Sequence, residues 1–212
     1  DVRMKYVALF LCSILATMML ASASVAQVHL NEILADPATD WDGDGTIDTK
    51  LDEWVEIINT GASPVDLSKF RLSDASAGSA FRFALSGMLA PGEMKVYFGS
   101  AVVAWQAANG VGQLGLSLNN SGDTVFLYEV QGADVSVADS RTYATAEVAD
   151  DRSNGRLPNG SGDWVIFDGL NPYNGAQPPT PTGCAPSPGT ATQCPTPTQA
   201  STWGQIKALY RS

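Results

Sequence analysis

From residue 28 to residue 167 the apolar positions fall into short runs that alternate with polar ones or are rich in β-branched and aromatic side chains. Residues 28–35, 54–59, 81–85, 95–98, 124–130 and 164–167 each have the length and content of a strand. Turn chemistry separates them: Asn59-Thr60-Gly61, Pro91-Gly92, Asn120-Ser121-Gly122-Asp123 and Asn159-Gly160. Helical spacing is clear at one internal site, residues 101–108, with Ser100 placed to cap its start and Asn109-Gly110 its end. Many short strands with turns at this spacing predict an all-β sandwich.

Three flanking segments fall outside that pattern. Residues 4–26 read as a secretory signal: Lys5 supplies the positive start, residues 6–20 an apolar stretch, and Ser24-Val25-Ala26 a small-residue cleavage site. The apolar run is shorter than a spanning helix requires, so no membrane anchor is expected after cleavage. Seven of the twelve prolines fall between Pro178 and Pro197 with no charged residue among them, which predicts an extended, solvated linker over residues 177–200. With Cys12 lost in the signal, Cys184 and Cys194 remain as an even pair in an oxidising compartment, and a local disulfide is expected. Residues 201–212 have helical spacing, with Trp203, Ile206 and Leu209 or Tyr210 on one face and Lys207 and Arg211 as its cations. This short amphipathic element suits docking on the sandwich itself, on a partner or on an anionic membrane surface.

Several ordered motifs carry a family resemblance. Val28-His29-Leu30-Asn31-Glu32-Ile33-Leu34-Ala35-Asp36-Pro37 is followed by Asp52-Glu53-Trp54-Val55-Glu56-Ile57-Ile58-Asn59 and Val65-Asp66-Leu67-Ser68-Lys69-Phe70-Arg71-Leu72-Ser73-Asp74. Leu89-Ala90-Pro91-Gly92-Glu93 and Leu116-Ser117-Leu118-Asn119-Asn120-Ser121-Gly122-Asp123-Thr124-Val125 come next, and Arg156-Leu157-Pro158-Asn159-Gly160-Ser161-Gly162-Asp163-Trp164 closes the series. In this order they resemble the bacterial lamin tail domain. The resemblance implies an immunoglobulin-like β-sandwich over residues 27–176 that has no catalysis of its own and serves as a binding or tethering module in exported proteins. Outside the sandwich there is too little chain here for a catalytic domain.

Charge adds a cofactor to this picture. The chain carries 12 basic and 22 acidic residues, a net charge of -10; loss of Asp1, Arg3 and Lys5 with the signal makes the mature value -11. Such a balance repels a phosphate backbone, so nucleic acid is not an expected partner. Nine acids and one lysine crowd residues 27–56, most densely in Asp40-Trp41-Asp42-Gly43-Asp44-Gly45-Thr46-Ile47-Asp48. Read as an EF-hand-like loop, Asp40, Asp42 and Asp44 stand at positions 1, 3 and 5, Gly45 at the sharp turn, Thr46 offers its carbonyl at 7 and Asp48 stands at 9, while Ile47 points inward. Hard Ca²⁺ takes six to eight oxygens, and carboxylates at alternate residues can converge on it. Position 12 is Leu51, so Asp52 is the expected closing ligand, with Glu53 as the alternative.

The remaining chemistry is sparse. The single histidine, His29, lies within a predicted strand and suits packing better than ligation. Glu53 and Glu56, three apart on one strand, point to opposite faces and cannot act as an acid–base pair; Glu32 with either partner is a weak hydrolase reading. Trp54, Trp105 and Trp164 are core candidates, whereas Trp41, set among aspartates, is either a cover for the loop or an exposed contact for a partner. The combined expectation is a secreted, calcium-stabilised, non-catalytic module, extracellular, at the cell surface or periplasmic, that binds or tethers a protein, envelope or polysaccharide partner. The alternative is a structural or assembly component of the envelope or matrix, docked through the C-terminal element.

Overall fold

The computed structural model describes residues 28–74, 81–176 and 178–194. The expected signal segment and the C-terminal residues Trp203, Ile206 and Tyr210 lie outside them. In chain order the strands are β1 (Val28–Leu34), β2 (Trp54–Asn59), β3 (Val65–Asp66), β4 (Phe70–Asp74), β5 (Phe83–Ala84), β6 (Met88–Leu89), β7 (Met94–Phe98), β8 (Gly122–Gln131), β9 (Asp134–Ala144), β10 (Ser153–Leu157) and β11 (Asp163–Phe167). One α-helix stands among the described residues, α1 (Gly99–Ala108), directly after β7. Five strands form a sheet in the order β11-β10-β1-β2-β7, four a second in the order β5-β4-β8-β9, and β3 pairs with β6. Their ladders are antiparallel. The two larger sheets enclose one apolar core that includes Leu30, Ile33, Val55, Ile57, Leu72, Val125 and Leu127. This is the expected immunoglobulin-like sandwich.

The central strand owes its dual character to an irregularity. Register shifts between Leu30 and Glu32, so Leu30 and Ile33 both enter the core although they are three residues apart. Glu32 and Leu34 are thereby turned to the outer face, beside Trp54, Glu56 and Ile58 of β2. That face is also buried: Leu34, Trp54 and Phe167 are each 0% exposed.

The cover is the proline-rich segment, and here the structure departs from the solvated linker expected. Pro181 bridges to Ile166 of β11 in parallel, and Thr182 donates its hydroxyl to the Ile166 carbonyl at 2.8 Å. The Asp168 carboxylate accepts the N–H groups of Thr182 and Gly183 at 3.0 and 2.8 Å through one oxygen and that of Tyr173 at 2.9 Å through the other. These donors hold the Asp168 carboxyl below its ordinary range against the opposing effect of burial. Cys184, joined to Cys194, is fully buried. Residues 178–194 are therefore a strap over the outer face of the five-stranded sheet. Its composition argues for a linker because it lacks charge and regular hydrogen bonding, but those properties also suit an extended segment bound through side-chain acceptors of the body.

Five strands lay outside the sequence expectations: the two-residue β3 and β6, too short to show a pattern, and three longer ones, each for a physical reason. β10 reads Ser-Asn-Gly-Arg-Leu, which is turn chemistry, yet Ser153 and Asn154 are buried because each finds a polar partner. β9 is exposed along most of its length and lacks an apolar face to signal it. β4 shows in the sequence as a motif but is too mixed to read as alternation. The helix begins at Gly99, and no side chain caps it; the N–H groups of Gly99 and Ser100 donate instead to the carbonyls of Glu53 and Leu51 at 2.7 and 3.0 Å. A Cβ on Gly99 would stand 1.9 Å from the Lys50 carbonyl oxygen, so this glycine permits the helix to start against the preceding acidic loop.

Gly155 plays the same part on the outer face, where an added Cβ would meet Phe167 Cε2 at 2.3 Å. Gly155→Ala is expected to destabilise the fold by about 1–3 kcal/mol through overpacking, read as a lower urea midpoint with an unchanged slope.

Candidate metal loop and the carboxylates that frame it

The loop between β1 and β2 is built from successive aspartate turns. Asp40 accepts the N–H groups of Gly43 and Gly45 at 2.8 and 2.9 Å, Asp42 that of Asp44 at 3.1 Å, and Asp44 that of Thr46 at 2.7 Å. Gly43 and Gly45 have φ of +77° and +91°, the left-handed conformations that let the chain coil around these side chains. The result is convergence: one carboxylate oxygen from each of Asp40, Asp42 and Asp44 lies within 4.8 Å of the others. Three hard, anionic oxygen donors at this partly exposed turn could hold a metal ion, and they suit a hard cation better than a soft or nitrogen-seeking one.

The other expected ligands are placed differently. Asp48 accepts the N–H groups of Lys50 and Leu51 at 2.8 and 2.9 Å, which lower its pKa from the ordinary value. Asp52, expected to close the shell, is buried beneath the loop. Its Oδ1 accepts from the N–H groups of Trp41 and Asp42 at 2.7 and 3.0 Å, and its Oδ2 from that of Asp48 at 2.8 Å. Asp52 thus anchors the backbone at both ends of the loop, while Asp40, Asp42 and Asp44 converge above it. Thr46 enters through the N–H it donates to Asp44. Ile47 is 60% exposed, contrary to the inward orientation of an EF-hand, because no helix pair flanks the loop to receive it.

Trp41 covers the base of the loop. Its ring meets Trp54 edge-on at 6.0 Å between centroids, and its indole N–H donates to Asp151 at 2.7 Å. The same Asp151 accepts from the Ala38 N–H at 2.9 Å and from the Thr39 hydroxyl. The segment from Ala38 to Asp48 is consequently tied to β2 and to the turn before β10. Sequence reasoning missed Asp151, whose only local signal is its place beside Asp150.

Glu53, the alternative ligand, points away from the three converging aspartates. It is buried and accepts the Leu118 N–H at 3.3 Å, and burial pushes its carboxyl up to about 8. It lines a cleft with Thr49, Lys50, Ser117, Asn119 and Asn120. His29 is half-buried, with Nδ1 3.4 Å from Asp139. Glu32 and Glu56 are directly opposite each other across β1 and β2, and both are enclosed by the strap.

No helix among the described residues is long and apolar enough to cross a membrane, and the Cys184–Cys194 disulfide suits an oxidising, extracytoplasmic environment. A family model described as Lamin Tail Domain matches residues 21–145. No curated protein and no solved structure matches the chain. The family match ends in the region of β9, yet β10 pairs with the central β1, so the folded unit extends past the matched residues.

Replacing Asp52 by Ala removes the acceptor of three loop N–H groups, two of them at one oxygen. A loss of about 2–4 kcal/mol is expected from these unsatisfied donors even with a chelator present, measurable by urea unfolding. Under the same conditions Asp42→Ala should cost less than half as much.

Proposed function

The chain belongs to the lamin tail domain family, and on that premise we propose that it is a secreted, calcium-stabilised module that acts by non-catalytic binding or tethering at the cell surface or outside the cell. The family is one of immunoglobulin-like modules without catalytic activity. Calcium enters through one observation above all, the convergence of Asp40, Asp42 and Asp44. Their carboxylates would supply the charged ligands, the Thr46 carbonyl and water would complete the shell, and Asp52 would keep the loop in register from beneath. A bound Ca²⁺ offsets like-charge repulsion in the loop and orders the connection between β1 and β2. The ion is structural in this reading.

The tethering part rests on the order of elements. The body ends in a strap fixed by Asp168 and a disulfide, after which the sequence continues to the basic, apolar residues Trp203, Ile206, Lys207, Tyr210 and Arg211. These residues carry opposite charge to the acidic body and would reach a protein or polysaccharide partner in the envelope. A truncation that tests attachment has to fall after Cys194, because removal of the strap would strip the outer face of the five-stranded sheet.

Two outcomes are expected. With a site in the millimolar class, about 10 mM Ca²⁺ adds on the order of 1.4 kcal/mol, which raises the melting temperature by roughly 3–6 °C relative to chelator; the Asp42→Asn, Asp44→Asn double variant removes the rise. An identical midpoint in calcium and chelator would take the ion out of this function. Deleting residues 195–212 is expected to abolish attachment to envelope fractions while the melting temperature stays within about 2 °C, and undiminished attachment would dismiss the tail as the tether.

A further inference from the structure

Two carboxylates lie under the strap with no cation beside them among the described residues. Glu32 and Glu56 are partners in the β1–β2 register, and both are 0% exposed. Glu32 accepts the Ser153 hydroxyl from β10, and from the strap it accepts the Ser187 N–H at 3.1 Å and the Ser187 hydroxyl at 3.0 Å. Glu56 accepts the Asn31 side-chain amide at 2.6 Å and, from the strap, the Gly189 N–H at 2.6 Å. Thr192, further along the strap, donates to the Asn159 side chain at 2.7 Å. The Cys184–Cys194 disulfide closes residues 184–194 into a ring, and the ring is fixed to the body at its Cys184 end, where the Cys184 carbonyl accepts the Gly169 N–H at 2.7 Å.

The charged surroundings are one-sided. The strap from residue 178 to residue 194 contains no ionisable side chain apart from the paired cysteines. β10 contributes Ser153, and β7 places Val96 opposite Glu56. Lys95 directs its ammonium to the Ser86 carbonyl at 3.1 Å and over the Tyr97 ring. The charge that acts on Glu32 is that of Glu56 itself, and it opposes ionisation.

We propose that residues 185–193 are a pH-gated cover: a loop hinged at its disulfide that stays closed over the facing Glu32 and Glu56 carboxyls while they hold protons, and lifts to admit water as they ionise. The strap donors favour the charged forms, but burial outweighs them. It pushes the Glu32 carboxyl up to about 8 and raises that of Glu56 as well. With the cover lifted, both groups return toward an ordinary glutamate value near 4.5. Closing therefore takes up protons. The closed state is fully favoured below about pH 4.5 and loses that advantage as pH rises through about 8. The disulfide limits the motion to the ring, so the sandwich stays intact.

The test is amide hydrogen exchange in the oxidised full chain between about pH 5 and 8.5, corrected for intrinsic exchange, at Ser187 and Gly189, with the β2 amide of Ile57 as the reference for global opening. Protection at Ser187 and Gly189 relative to Ile57 is expected to fall with pH, approaching tenfold per pH unit for each proton released. Glu32→Gln is expected to flatten this dependence. Ser187→Ala, which leaves the sheet unaltered, is expected to lower protection at Gly189 across the whole range, and it serves where Glu32→Gln does not fold. Protection independent of pH in the wild type would overturn the gate, and so would a pH dependence that persists unchanged in both Glu32→Gln and Glu56→Gln.

Discussion

A carboxylate taken out of water must be given hydrogen-bond donors or a proton, and in this chain the donors come from irregular backbone. Asp52 gathers three N–H groups from the acidic loop, Asp168 three from the strap and the turn before it, and Asp151 ties the start of the loop to the turn before β10. The apolar core fixes how the sheets stack, but it says little about segments with no regular hydrogen bonding of their own. Those segments are held where a buried or half-buried acid collects their amides. Much of the acidity therefore acts as internal scaffolding, and the partly exposed aspartates of the loop tip are the part that could hold a cation.

The sandwich was legible because its inner strands are apolar in period two and its turns carry their own chemistry. β2 reads correctly to the residue, since all six of its side chains are buried and Asn59-Thr60-Gly61 marks its end. β10 was not legible for the opposite reason. A Ser-Asn-Gly sequence becomes a buried strand only when Glu32, Arg141 and the Phe167 ring stand ready to receive it, and none of these is near in sequence. The strap is a similar case. Its prolines and threonines describe an extended chain truthfully, but whether such a chain runs through solvent or across a protein face is decided by acceptors more than a hundred residues away.

The loop shows how much of a site local spacing can reveal. Asp40, Asp42 and Asp44 converge because alternate residues in a tight, glycine-bearing turn face one point, and that is a property of the sequence itself. The role of Asp52 depends on tertiary placement. It stands at the threshold of β2, where the strand is already buried, so its carboxylate turns under the loop and becomes a support. Ile47 misled in the complementary way, because its inward orientation in an EF-hand depends on flanking helices that a strand-to-strand connection lacks.

The disulfide has a mechanical consequence. A pull applied through the residues that follow Cys194 enters the folded body at that cysteine and crosses at once to Cys184. The covalent bridge carries the load, and residues 185–193 lie in parallel with it as slack, hiding roughly 30 Å of contour. Tension thus reaches β11 through the bridge and the Asp168 anchor without being borne by the contacts to Glu32 and Glu56. The strap can loosen over those two carboxylates while the line of force from tail to sandwich stays taut.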